Sequence, residues 1–263
     1  MNTYYCLDDS PRFEMIELNE IDSTNNFLKS YRPLQPKEVT LVTAEFQTAG
    51  RGQIGNSWES ESGENLLFSL LIHPQNIKAS QQFLISQISA LSAKEALEAF
   101  TDGLSVKWPN DIYWHDKKIG GMLIENDLSG HTITNCIIGI GLNINQEKFH
   151  SPAPNPISLF QIIGKKIEKR FVLERFMKTF NTRISSLRID GGEQVKQDYI
   201  QALYRRNGMH PYADETGRFE ARIVKIEPTG HIVLEKADGS RHTYAFKEVK
   251  HLIPLNQETD IAL

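Results

Sequence analysis

Cysteine is scarce in this chain: two among 263 residues, Cys6 and Cys136. Two so far apart form no metal-ligand spacing, and Cys136, inside the apolar run "TITNCIIGIGLNI", reads as a buried reduced thiol. An excess of charge of one sign is also missing. The formal net charge of −4 supplies no basic field for non-specific nucleic-acid binding, so no DNA partner is expected. No apolar run approaches the ~18 residues of a membrane span, and the N-terminus "MNTYYCLDDSPRFEM" has no basic segment leading into an apolar one. The expectation is a cytoplasmic protein that does not engage a membrane. Repeats and low-complexity tracts are lacking too. What is present is 40% hydrophobic residues, enough for a substantial core built as one large domain and one small one.

From about residue 13 to 145, short β-type runs dominate: "EVTLVTAEF", "NLLFSLLI", "LSVKWPNDIYW", "IGGMLIEND" and "TITNCIIGIGLNI". Most follow one another without an intervening helix, which predicts a mixed or antiparallel sheet in an α+β fold. Ser80 is placed to cap a helix through "QQFLISQISALSAKEALEAF", with Leu84, Ile88 and Leu91 at helical spacing. A second helix carries Leu173, Phe176, Phe180, Ile184 and Leu187, and helices are therefore expected to cover the sheet. The stretch "HSPAPNPIS" reads as a loop because of its prolines. After about residue 208 the pattern changes to short strands with hairpin turns: "FEARIVKI", "HIVLEKA", "RHTYAF" and "VKHLI", a candidate small β-barrel. The predicted domains are 1–207 and 208–263.

Gly50, Gly52 and Gly55 have the G-x-G-x-x-G spacing of a dinucleotide-binding loop. That motif needs a helix beginning at the last glycine, and "NSWESESG" is polar and turn-rich instead. Two readings survive, a structural hairpin or a loop whose backbone N–H groups wrap an anion, and Arg51 between two glycines favours the second. Ser23, Thr24 and Asn25 either cap a helix or present hydrogen-bonding groups to a ligand. Pro109 interrupts a strand among Lys107, Asn110 and Asp111, Lys118 precedes a pair of glycines, and Asn143 is an amide in an apolar segment that must find partners.

Taken in order, "IDSTN", "EFQTAGRGxxGxxW", "KWPND", "KxGGxLIE" and "IGxGLNIN" resemble the biotin protein ligases over nearly all of residues 16–145. The C-terminal β-region resembles the SH3-like domain that ends these ligases. The resemblance implies a catalytic domain of the class II aminoacyl-tRNA synthetase and biotin ligase type, of the short form without an N-terminal DNA-binding domain. It implies a biotin–[biotin carboxyl-carrier protein] ligase that makes biotinyl-AMP from biotin and ATP with Mg²⁺, then acylates a lysine of a carrier protein. The implied acceptor is the biotinyl domain of a carboxylase, and strand edges near "CIIGIGLNI" would let two chains pair as a homodimer.

By the same resemblance, Lys118 and Arg51 are the catalytic cations, with Lys107 a further candidate. Ser23, Thr24 and Gln47 read the biotin ureido ring with the backbone of Gly50 and Gly52, and Asn25 fixes the turn. Trp58 stacks on adenine, Asn143 hydrogen-bonds it, and Asn110 with Asp111 handle phosphate, Asp111 being the Mg²⁺ ligand. Many family members crowd the glycine loop with Arg or Lys, whereas here Arg51 is its sole cation. The loop is expected to order on ligand binding and to hold the adenylate less tightly than Arg-rich loops. Two alternatives are a lipoate or octanoate ligase or transferase, and a non-catalytic biotin- or carrier-binding protein.

Overall fold

The computed structural model describes residues 13–33, 37–53, 56–74, 77–150 and 153–252. Cys6, Ile54, Gly55 and Pro152 lie outside the described residues. The chain divides into two compact units, Met1–Tyr204 and Arg205–Leu263.

The first unit is built on a seven-stranded sheet of order β1-β2-β3-β7-β6-β5-β4. Its strands are β1 (Phe13–Ile21), β2 (Val39–Gln47), β3 (Leu66–Ile72), β4 (Leu104–Lys107), β5 (Asp111–Trp114), β6 (Lys117–Ser129) and β7 (Thr132–Leu142). Only β1 and β2 run parallel; every other pair is antiparallel. The sheet is mixed and helix-covered, as the run of strands without intervening helices predicts. β3 is buried at every position because both of its faces are covered, and each of its Leu, Ile and Phe side chains contributes ~1.5–3 kcal/mol by leaving water.

One face packs on α2 (Phe83–Leu97), α4 (Lys169–Asp190) and α5 (Glu193–Ala202). Phe68 of β3 meets Phe176 of α4 edge-on at 5.0 Å, and Phe83 of α2 meets Tyr199 of α5 at 5.7 Å. The opposite face carries α1 (Thr24–Ser30) at one side, its Leu28 packed with Ile16, Val42, Leu71 and Ile137. α1 is only seven residues long and covers a corner of that face, leaving the rest for the site.

Several elements depart from the sequence reading. Ser80 lies inside a 3₁₀ turn, Ala79–Gln81, and the N-cap of α2 is Gln82. "LSVKWPNDIYW" is two strands, β4 and β5, paired antiparallel around the turn at Trp108 to Asn110. The buried Tyr199 anchors that turn from behind, its hydroxyl donating to the Pro109 carbonyl at 3.0 Å. β1, α5 and the short α3 (Leu159–Ile163) were not foreseen. β7 lies between β3 and β6, so the edge pairing expected near "CIIGIGLNI" is excluded: its hydrogen bonds are already made within the sheet. Cys136 on β7 is a buried free thiol, its pKa pushed up by desolvation and by the nearby Asp127 charge.

The second unit is a five-stranded antiparallel sheet of order β11-β10-β9-β8-β12, in keeping with a small SH3-like domain. It comprises β8 (His210–Asp214), β9 (Gly217–Ile226), β10 (Ile232–Lys236), β11 (Arg241–Tyr244) and β12 (Lys250–His251). Tyr212, Phe219 and Tyr244 stack in sequence at 6.0 and 6.1 Å, and Lys236 lies 4.1 Å above the Phe219 ring. Among the described residues no helix is long and apolar enough to cross a membrane.

Candidate active site

Register places the site residues in three rows across the face that carries α1. Directly paired residues share a face. The first row reads Ala44, Leu67, Gly141, Gly121, Asp111 and Lys107 from β2 to β4. The second reads Val42, Ser69, Gly139 and Leu123, and the third Thr40, Leu71, Ile137 and Glu125. Glycines at 121, 139 and 141 remove three side chains from the middle of this face, so the sheet carries a trough.

Each glycine is overlaid by a residue expected at the site. A Cβ on Gly141 would lie 2.5 Å from the Trp58 indole, and one on Gly121 3.1 Å from Lys118 Nζ. A Cβ on Gly139 would lie 2.8 Å from Asn25 Cγ and closer still to its amide oxygen. Lys118 Nζ is 2.6 Å from Asp111 Oδ1 and 5.5 Å from the centre of the Trp58 ring, an ion pair with a cation–π contact worth about 0.5–1 kcal/mol where partly exposed. Lys107, next to Asp111 in the row, is 5.1 Å from the centre of the Tyr113 ring. Desolvation and the Asp111 charge push the Tyr113 phenol up to about 12.

The second row holds a polar cluster. Gln47 Oε1 accepts from the Thr24 backbone N–H at 2.7 Å and from Thr24 Oγ1 at 3.0 Å. A backbone donor fixes that amide's orientation and leaves its NH₂ group outward as a donor. Ser69 Oγ is 2.7 Å from Thr24 Oγ1 and 2.6 Å from Asn25 Oδ1, and its one proton satisfies either at a time. The Asn25 amide nitrogen donates to the Leu123 carbonyl at 3.3 Å and to Glu125 at 2.9 Å. Ser23 occupies the N-cap position of α1, yet its buried side chain makes no capping hydrogen bond, so capping does not account for the hydroxyl.

The segment read as a proline loop braces the first row. Lys118 N–H donates to the Asn155 carbonyl at 2.8 Å and Ile157 N–H to the Lys118 carbonyl at 2.9 Å. Asn143 N–H donates to Ile119 at 2.8 Å and its side-chain amide to Ile157 at 3.1 Å. Asn143 Oδ1 and Trp58 Nε1 are buried and have no hydrogen-bond partner among the described residues. Leaving such groups unpaired costs about 1–3 kcal/mol each, which a ligand offering a donor and an acceptor recovers. Asn110 donates its side-chain amide to the Met122 carbonyl and accepts from Met122 N–H at 3.1 Å, pinning the β4–β5 turn to β6.

The glycine loop is a closed hairpin: Trp58 N–H donates to Gly50 and Gly52 N–H to Asn56, both at 2.9 Å. A Cβ on Gly50 would lie 2.6 Å from the Trp58 carbonyl, so the tight closure requires glycine there. Arg51, expected beside Lys118, is not brought there. Its guanidinium is bound to Glu125 at 2.8 and 3.2 Å and to Asn26 Oδ1 at 2.9 Å. Ser69, Glu125, Gly139 and Gly141 were missed as site residues; the signals present were a lone serine in "NLLFSLLI" and the alternating glycines of "IGIGLNI". Among the described residues no three His, Cys, Asp or Glu side chains converge as a metal-holding group.

Residues 18–143 match the biotin/lipoate A/B protein ligase family. The chain is 28% identical over 239 residues to the bifunctional ligase/repressor BirA of Bacillus spizizenii, covering 88% of this chain and 72% of that protein. It is 26% identical over 233 residues to the biotin–[acetyl-CoA-carboxylase] ligase of Paracoccus denitrificans, covering 84% of this chain and 94% of that one. Its fold superposes with a TM-score of 0.75 on the biotin protein ligase of Aquifex aeolicus in complex with biotin and ATP, at 27% identity, covering 90% of this chain and 99% of that chain. Among the curated ligase/repressors it matches, this chain spans from 42% to 72% of their length. The glycine trough, its polar cluster and Lys118 lie within the residues that match this family, and over most of its length the chain is similar in sequence and fold to the biotin protein ligases.

Proposed function

We propose that the chain joins biotin to ATP as biotinyl-AMP, releasing pyrophosphate, and transfers the biotinyl group to a lysine of a carrier protein. The observation that carries this reading is the layout of the trough. Hydrogen-bonding groups of Thr24, Gln47, Ser69 and Asn25 gather at one end, glycines floor the middle, and Lys118 stands at the other. Biotin has the same order: a ureido head that needs donors and acceptors, an apolar body, and a carboxylate. Ser23 is buried beside the cluster and, with the backbone of Gly50 and Gly52, completes the head pocket. Such a pocket rejects acids whose heads leave its polar groups unpaired, which favours biotin over lipoate.

In the first half-reaction the biotin carboxylate forms a bond to the α-phosphorus as the bond to the β-phosphate oxygen breaks. Two anions must meet, and unit charges ~4 Å apart repel by about 4 kcal/mol at an effective dielectric near 20, roughly a thousandfold in rate. Lys118 supplies the opposing charge, turning from Asp111 to the developing pentavalent centre. Lys107, in the same row, adds to the positive field. Trp58 offers its ring to adenine, and Asn143 Oδ1, an acceptor lacking a donor, suits the adenine amino group. Asn110 holds the turn that presents Asp111. Mg²⁺ binds through one or two carboxylates plus phosphate oxygens; Asp111 fits that role and would hold it where it neutralises charge on the polyphosphate. In the second half-reaction a carrier lysine amine attacks the carbonyl carbon of the mixed anhydride and AMP leaves.

The finer reading of the acceptor is the biotinyl domain of a carboxylase, and the unpaired buried thiol of Cys136 is in keeping with a reducing, cytoplasmic setting. The test is transfer of labelled biotin from ATP to a biotin carboxyl carrier domain by wild type and Lys118→Ala. Labelling by wild type, reduced about a thousandfold in the variant, supports the reading. Wild type without labelling, or a variant at full rate, overturns it.

A further inference from the structure

Glu125 ends the motif that begins at Lys118, and nothing in the chemistry above employs it. It nonetheless gathers more charged donors than any other carboxylate of the site. Lys29 Nζ lies 2.7 Å from Oε1, Arg51 reaches both oxygens at 2.8 and 3.2 Å, and Asn25 donates to Oε2 at 2.9 Å. Burial raises its pKa, but bonds from Lys29, Arg51 and Asn25 outweigh this and hold it below the usual carboxylate value. The carboxylate is charged and has two counterions.

Arg51 is the sole cation between Gly50 and Trp58, and it is engaged away from the reaction centre. Glu125 is four residues along β6 from Gly121, about 14 Å at ~3.4 Å per residue, farther than one guanidinium spans. Arg51 therefore cannot hold Glu125 and a phosphate beside Lys118 together. Because Arg51 bridges to Ser57 across the hairpin and Trp58 closes it on Gly50, the ion pair also fixes where Trp58 lies. Lys29, on α1, remains beside Glu125 if Arg51 departs. A half-buried carboxylate left with no counterion would be costly; with Lys29 in place, Arg51 leaves without that cost.

We infer that Glu125 is the docking residue of the glycine loop: it holds Arg51 and the hairpin against α1 in the ligand-free chain, and yields Arg51 to the adenylate phosphate, keeping Lys29 as its counterion. The second half of this inference rests on the proposed biotin adenylation; the first half does not. Glu125 is a positioning residue acting through Arg51.

The experiment compares wild type, Glu125→Gln, Arg51→Gln and the double variant. Without ligand, hydrogen exchange at the Gly52 and Trp58 amides is expected to be about three- to tenfold faster in each single variant, the loss of a partly exposed, hydrogen-bonded ion pair. With a non-hydrolysable biotinyl-AMP analogue, Glu125→Gln is expected to bind about three- to tenfold tighter, since its competitor for Arg51 is gone, and this gain is expected to vanish in the Arg51→Gln background. Unchanged exchange, weaker binding by Glu125→Gln, or an equal gain without Arg51 each overturns the inference. Should Glu125→Gln fail to fold, Arg51→Gln with its exchange alone still decides the docking. Wild type that binds no analogue and releases no pyrophosphate with biotin contradicts the proposed function instead, and leaves the exchange comparison standing.

Discussion

Asn25 sits on Gly139: its amide occupies the space a β-carbon would take, 2.8 Å at Cγ and less at Oδ1. From there it reaches Ser69, Leu123 and Glu125, so one side chain on α1 ties together three strands and the loop dock. Gly139→Ala is expected to push Asn25 off the sheet, with an overpacking cost of about 1–3 kcal/mol. The prediction is a lowered Tm and a KM for biotin raised about tenfold or more, with kcat changed less. Asn25→Ala added to Gly139→Ala is expected to restore Tm in part, because the clash is then gone, while KM stays high. Restoration of KM as well would contradict the role given to Asn25.

Trp58 is expected to act as the nucleotide platform. Trp58→Ala should raise the KM for ATP by about ten- to a hundredfold, the ~1–3 kcal/mol of a base stacked on an aromatic ring. Trp58→Phe should retain most of the affinity. If steady-state kinetics show the loss in the KM for biotin alone, the indole packs on the acid and not on the base.

The pairing of Lys118 with Asp111 at 2.6 Å divides two roles. Lys118→Ala removes the cation and should lower kcat for adenylation about a thousandfold. Asp111→Asn keeps Lys118 and removes its resting partner together with the Mg²⁺ carboxylate, so it should raise the requirement for Mg²⁺. An Asp111→Asn enzyme with unchanged Mg²⁺ dependence rules out the metal role.

β2, β3, β6 and β7 were legible from their β-type runs, and the motifs were legible as short ordered stretches at the ends of strands and in the turns between them. β1, "FEMIELNEI", mixes charge with apolar residues as edge strands do, and gives no such run. The β4–β5 hairpin looked like one strand because its turn, Trp108 to Asn110, carries a large aromatic that is buried in the core. Lys118, Asp111 and Trp58, which three separate motifs supply, lie together in the fold. Ser69 lies outside every motif and Glu125 ends one, but the partners of both are 44 and 74 residues away in sequence, so their contacts exist only in the folded chain.

A pH prediction follows from Glu125. Its folded pKa lies below the unfolded value, so its stabilising contribution is complete above the ordinary Glu range and is lost as pH falls through the lowered value. Lys29 and Arg51 are the charged groups facing it. The difference in urea stability between wild type and Glu125→Gln should thus be constant from neutral pH down to about 4.5, then narrow on further acidification. A difference that narrows already near pH 7 contradicts this assignment.

Pyrophosphate release from ATP in the presence of Mg²⁺, followed with biotin, with lipoate and with no acid, decides whether the chain adenylates biotin. Release is expected with biotin only, and is lost in Lys118→Ala. Equal release with lipoate, release without any acid, or none with biotin would contradict it.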